Sequence, residues 1–206
     1  MQPGPNYIYK TPITGALVKV SSICSGNTFG ATFWTDGWHE APMLPDEPWL
    51  QLHPITNELF WTDECEKIDS ELPWEADEKY VDVPFAATPT LKNYQTVLAS
   101  GFASTPKKER YIRLRYWWAA NDPVRHEEQN ASFPPDHREN LQKLRALLRK
   151  SDPNQRLMAA EISRELGDFD KATDLLNFPF PEKYAHSVER ISALIEERDV
   201  RVREVI

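Results

Sequence analysis

The sequence has little of what usually carries chemistry or spans a membrane. Its two cysteines, Cys24 and Cys65, are too few for a disulfide framework and predict a reducing, cytoplasmic setting. Seven glycines never reach the spacing of a phosphate-binding loop. Apolar runs last only a few residues, far short of the ~20 that a membrane helix needs, so no membrane contact is expected. Met1–Pro5 has neither a basic stretch nor an apolar one, which predicts no secretory signal. Arginine is missing altogether from the first 90 residues.

What is present is unevenly placed. The 206 residues carry a net charge of -8, which disfavours direct nucleic-acid binding. Residues 1–90 hold four lysines against fourteen acids, and the remaining twenty bases and eighteen acids follow. Ten of seventeen prolines and five of seven tryptophans also precede residue 91. An acidic, Pro- and Trp-rich half followed by a Leu-, Ala- and Arg-rich half predicts strands and loops first and helices second. The boundary is expected at Pro84 to Pro89, giving residues 1–88 and 89–206.

In the first half, Ala16–Cys24 has the β-branched enrichment of a strand. Asp36-Gly37 between aromatic runs predicts a hairpin with both turn residues at positive φ. Ala41–Pro48 carries three prolines and should be an extended surface segment. Trp49–His53 and Glu58–Trp61 predict a second hairpin across Pro54–Asn57.

In the second half, Thr90 caps a helix to about Ser100, and Pro106 opens one to about Asn121. Apolar stripes predict helices over residues 136–150, 153–166 and 169–176, and one carrying Tyr184, Val188, Ile191, Leu194 and Ile195. The charged tail, residues 199–206, is expected to fray. The helix with Tyr111, Ile112, Leu114, Tyr116, Trp117 and Trp118 is apolar nearly all round and holds Arg115 within that arc. An arginine there should stack on rings and meet a carboxylate.

Gly167-Asp168-Phe169-Asp170-Lys171-Ala172 resembles the turn between the two helices of a tetratricopeptide repeat. The likeness covers residues 154–177, and no second copy follows at the ~34-residue period. Ser25–Ala31, Phe33–Gly37, Ala41–Pro45 and Leu59–Trp61 together resemble an uncharacterised bacterial protein family with a zinc-ribbon-like N-terminal region and a helical C-terminal part. That resemblance implies paired metal-binding turns. Here the turns read Cys24-Ser25-Gly26-Asn27 and His53-Pro54-Ile55-Thr56, one candidate ligand each. A structural zinc needs four ligands, so Cys24 and His53 are weak metal candidates and no cofactor is expected.

Together these features predict an α+β protein: a small antiparallel β-rich N-terminal module packed on an α-helical domain with one tetratricopeptide-like hairpin. The expected function is non-catalytic protein binding, with a basic partner such as a toxin or nuclease masked in the manner of an immunity protein. Candidate contacts are the acids Asp63, Glu64, Glu66, Asp69 and Glu71, with Met43, Trp117 and Trp118 as interface anchors. The competing class is a metal- or cysteine-dependent enzyme using Cys24 and His53.

Overall fold

The architecture comes from a computed structural model that describes residues 1–75, 77–127 and 132–205. The fold is α+β, with small antiparallel sheets in the N-terminal half and helices in the C-terminal half. The strands are β1 (Gln2–Pro3), β2 (Asn6–Lys10), β3 (Leu17–Val20), β4 (Ile23–Ser25), β5 (Thr32–Phe33), β6 (His39–Glu40), β7 (Leu50–Leu52), β8 (Leu59–Trp61) and β9 (Glu66–Glu71). The helices are α1 (Leu91–Ser100), α2 (Pro106–Arg125), α3 (His137–Leu147), α4 (Pro153–Glu165), α5 (Phe169–Leu176) and α6 (Ala185–Glu196). Among the described residues no helix is long and apolar enough to cross a membrane.

The chain forms two compact units that do not follow chain order. The first comprises residues 1–31 and 41–93, and the second residues 32–40 and 94–206. In the first unit the main sheet has the order β3-β2-β9. Beside it β1 pairs with β4 and β7 with β8, all antiparallel. The predicted strand over 16–24 is two strands, β3 and β4, separated at Ser21-Ser22, where the Ser22 hydroxyl donates to the Pro5 carbonyl at 2.7 Å. The β7–β8 hairpin forms as the sequence predicts, with Leu50 opposite Trp61 and Asn57 at φ 58° in its turn.

Residues 84–87, which the composition marks as a boundary, are a strap within this unit. Lys19 N donates to Pro84 O and Ala86 N to Lys19 O, both at 2.8 Å, closing the outer edge of β3. Leu52 and Ala87 exchange two bonds of 2.9 Å, joining the strap to β7. Ile8, Val18, Leu50, Phe60, Trp61 and Tyr80 are buried in this unit.

The second unit has its core along α2, α3, α4 and α5. Trp117, Leu141, Leu144, Ala159, Ala160, Ile162, Leu166 and Leu175 form one buried cluster. Side-chain caps set the helix starts: Thr105 accepts from Lys108 N at 3.2 Å and Asp152 from Gln155 N at 2.9 Å. Helix α2 runs past the predicted end at Asn121 and through Pro123 to Arg125. Arg125 holds that last turn, donating to Trp118 O at 2.7 Å and Asp122 Oδ1 at 2.5 Å.

The β5–β6 hairpin belongs to this helical unit. Its turn departs from the prediction: Gly37 takes positive φ (82°) while Asp36 does not. Gly37 N donates to Trp34 O, and Trp34 N to Trp38 O, each at 2.9 Å. These bonds fit a three-residue loop with glycine at its left-handed end. Asp36 is buried instead of turn-exposed, ion-paired with the Arg125 guanidinium and accepting from Asn121 Nδ2 at 2.9 Å. Arg115 sits among Trp38, Tyr111 and Trp118, with ring centroids 5.6–5.9 Å from its guanidinium carbon.

The tail does not fray. Thr35 N donates to Arg203 O and Val205 N to Phe33 O, each at 2.8 Å, so residues 203–205 extend the hairpin, and Val202 is buried. Backbone pairing offsets the solvation that its charged side chains favour. Ile206, also in the segment expected to fray, lies outside the described residues.

Between α4 and α5, Gly167 has φ 81°, and the amides of Gly167 and Asp168 bond back to Arg164 O and Ser163 O at 2.9 and 2.8 Å. This is a Schellman turn, in which a β-branched side chain is strained. Gly167→Val is therefore expected to cost more than ~1 kcal/mol in chemical denaturation. An unchanged midpoint and slope would remove that account of the turn. Arg125→Met leaves the Asp36 carboxylate buried without its cation and is expected to cost ~3–5 kcal/mol. Adding Asp36→Asn should recover part of the loss, which a double-mutant cycle of unfolding free energies measures.

Candidate functional site

The acidic candidates gather where β8 leads into β9. A single 3-10 turn, Thr62–Glu64, presents Asp63 and Glu64, and β9 follows at the edge of its sheet. Asp63 is held in place by the Trp49 indole N–H, which donates to it at 2.6 Å. Glu66 and Asp69 are exposed on β9. Tyr80, buried beneath, donates its hydroxyl to Asp69 at 2.8 Å. The Ser70 amide and this hydroxyl hold the Asp69 carboxyl below its ordinary range.

The register explains how these side chains come to share the strand. Ile8 lies opposite Asp69 and Tyr9 opposite Lys67, so Ile68 is the extra residue of a β-bulge. Lys67 turns onto the Tyr7 ring, 4.1 Å from its centroid. Glu66 meets Lys10 only at 4.0 Å between two exposed side chains, a contact of little energy.

Glu71 is not part of this solvated face, which corrects the sequence reading. It is buried, bonded to the Lys19 ammonium at 2.7 Å and accepting from Asp77 N at 3.1 Å. It sits at the end of β9 opposite Asn6, and its burial requires the partner that Lys19 supplies. Its hydrogen bond with Lys19 holds the carboxyl below its usual range.

Beyond Glu71 the chain makes a tight turn over residues 72–75, with Glu75 N donating to Leu72 O at 3.0 Å. Pro73 occupies the position where its fixed φ suits such a turn. The turn leaves Trp74 64% exposed, and Leu72 and Ile68 are also partly exposed. An exposed tryptophan next to exposed acids is a feature that the sequence reading missed. The Leu72-Pro73-Trp74-Glu75 turn signal was its one legible trace.

The other candidates fall elsewhere. Met43 lies at the surface of the same unit, in the loop packed on Gly26 and Asn27, whose amide donates to Met43 O at 3.2 Å. Trp117 and Trp118 belong to the second unit, and Trp117 is no interface anchor. It is fully buried in the helical core, and its indole N–H donates to Glu165 at 2.8 Å. Trp118 is half-buried against the Trp38 ring, its N–H committed to Asp36 O at 3.0 Å.

His53 is a structural residue. Its Nε2 meets Leu17 O at 3.1 Å, and Nδ1 accepts from the amides of Ile55 and Thr56, both at 3.2 Å. A carbonyl partner fixes the proton on Nε2, so both ring nitrogens are engaged in closing the hairpin turn and neither can bind a metal. Cys24 is exposed. The half-buried Cys65 thiol is pushed up to about 11 by burial and by Glu58, Glu64 and Asp63, which makes it a poor nucleophile. Among the described residues no three His, Cys, Asp or Glu side chains form a group that could hold a metal ion.

No protein-family model, curated protein or solved structure matches this chain.

Because the Glu71 carboxyl is held below the ordinary glutamate value of 4.5, the folded chain takes up its proton at lower pH than the unfolded chain does. Its contribution is thus complete above that value and lost as pH falls through the folded-state value. Glu71→Gln should lower the thermal midpoint at neutral pH, with the gap from the parent closing as pH drops below 4.5. A gap that stays constant with pH would show that charge is not what Glu71 supplies.

Proposed function

We propose that this protein is a non-catalytic protein-binding module whose acidic β9 face docks a basic protein. The observation that carries the reading is the juxtaposition on one strand and its following turn of Glu66, Asp69 and the exposed Trp74. Charges clustered within the ~8 Å Debye length act together on an approaching cation, and an exposed indole supplies the buried anchor that a charge cluster lacks. One concrete form is an immunity-type inhibitor that masks a toxin or nuclease, since such enzymes need positive surfaces for their own substrates. A degenerate zinc-ribbon-like module and a tetratricopeptide-like hairpin would then serve as scaffold, and a cytoplasmic setting would suit that role.

The test divides the two contributions. Immobilised protein captures a basic partner from the native cell, and association and dissociation are then measured at low and high salt. Glu64→Lys with Glu66→Lys should slow association and flatten its salt dependence while dissociation changes little. Trp74→Ala should do the reverse, speeding dissociation by about tenfold or more if the indole is a hot spot. If both variants bind as the parent does at every salt concentration, recognition does not use this face.

A further inference from the structure

The second unit carries a surface of opposite sign. A cleft of about 350 Å³ between α3 and α5 has Leu148 and Leu175 in its floor and Arg145, Lys150 and Lys171 on its rim. It adjoins a second depression of about 470 Å³ at the α4–α5 turn, which shares Lys171 and adds Arg198 and Phe169. The combined groove has four cations. Of its two carboxylates, Asp168 already pairs with Arg145 at 2.6 Å, which leaves Asp170.

Arg198 is unusual on its own account. It ends α6 in a Schellman turn, with its amide bonded to Ile195 O at 3.1 Å and that of Asp199 to Leu194 O at 3.0 Å. The residue in this position adopts φ 56°, a conformation that favours glycine, which the equivalent turn at Gly167 uses. The strained backbone carries a guanidinium stacked 4.5 Å over the Phe169 ring, at the floor of the groove. The turn thereby places a cation, where glycine would place none, in the lining of this depression.

We propose that this groove docks an acidic segment of a partner protein, with carboxylates along Lys150, Lys171 and Arg198 and an aliphatic side chain over Leu148 and Leu175. Charge complementarity selects the occupant. A peptide suits the groove better than a nucleic acid does. Asp170 lies within it and the chain as a whole carries -8, both of which oppose a phosphodiester backbone, and Leu148 and Leu175 offer an aliphatic side chain its contact.

The experiment is fluorescence anisotropy of the full chain with a fluorescein-labelled peptide of aspartates and glutamates interrupted by leucine. The same peptide with lysine at every acidic position and a labelled oligothymidylate run alongside. Saturable binding of the acidic peptide is expected, lost for the lysine peptide and weakened about tenfold or more by Lys171→Glu. Arg198→Gly should weaken it as well while raising the thermal midpoint, because glycine relaxes the turn as the guanidinium is removed; this separates lost recognition from lost folding. Absence of saturable acidic-peptide binding, equal binding of the lysine peptide, or unchanged affinity in both variants would overturn the proposal. Tighter binding of the oligothymidylate would overturn it in favour of a nucleic-acid site.

Discussion

The second unit depends on one buried carboxylate. Asp36 lies in a turn between two short strands, and left alone in an apolar setting its charge would cost several kcal/mol. Four groups of the same unit hold the residue there, and three of them offset part of that cost, although burial still keeps the carboxyl above its usual range. The Arg125 guanidinium pairs with the carboxylate, Asn121 and the Trp38 amide donate to it, and the Trp118 indole takes the Asp36 carbonyl. Three of these donors come from one face of α2. This is why a hairpin from the acidic half of the sequence belongs with the helices, and why α2 combines rings with polar groups on a buried surface.

A second buried ion pair does similar work nearby in the unit. Arg164 and Glu161, one turn apart on α4, are both fully buried and bonded twice to each other. The guanidinium has donors to spare and gives them to the carbonyls of Asp199 and Arg201. The tail is thus gripped through its backbone, and its Asp199 and Arg203 side chains pair with each other at 2.7 Å. From there residues 203–205 reach the hairpin that Asp36 anchors. Two internal ion pairs therefore close a loop from α2 through the hairpin and the tail back to α4.

Local signals in the sequence account for most of the fold. Caps at Thr105 and Asp152, the glycine at 167 and the leucine stripe of α3 each act within a few residues, so their chemistry can be read in place. The β7–β8 hairpin is equally local. What was not legible is pairing over distance. Strand β9 finds β2 about sixty residues away, and its acid-rich composition reads as a solvated run until that ladder forms. Glu71 and Lys19 are ordinary surface residues by type, and only the β3-β2-β9 pairing brings them together inside. Trp117 and Trp118 are neighbours on one helix, yet 100° of rotation separates a core indole from a half-buried one.

The same distinction decides what the net charge means. Three lysines of the first unit are diverted inward or onto rings, Lys19 to Glu71, Lys67 to Tyr7 and Lys79 to Tyr80, and Lys10 meets Glu66 only at 4.0 Å. With no arginine there to form bidentate pairs, Glu66 and Asp69 stay exposed on their strand. In the second unit Arg125 and Arg164 are consumed by buried partners, whereas the cations around α5 face outward. Screening confines each group to its surroundings within about 8 Å, so neither surface feels the formal total. A chain of net -8 can thus present an acidic strand on one unit and a basic groove on the other. The sign of each surface follows from which charges the fold has already neutralised inside.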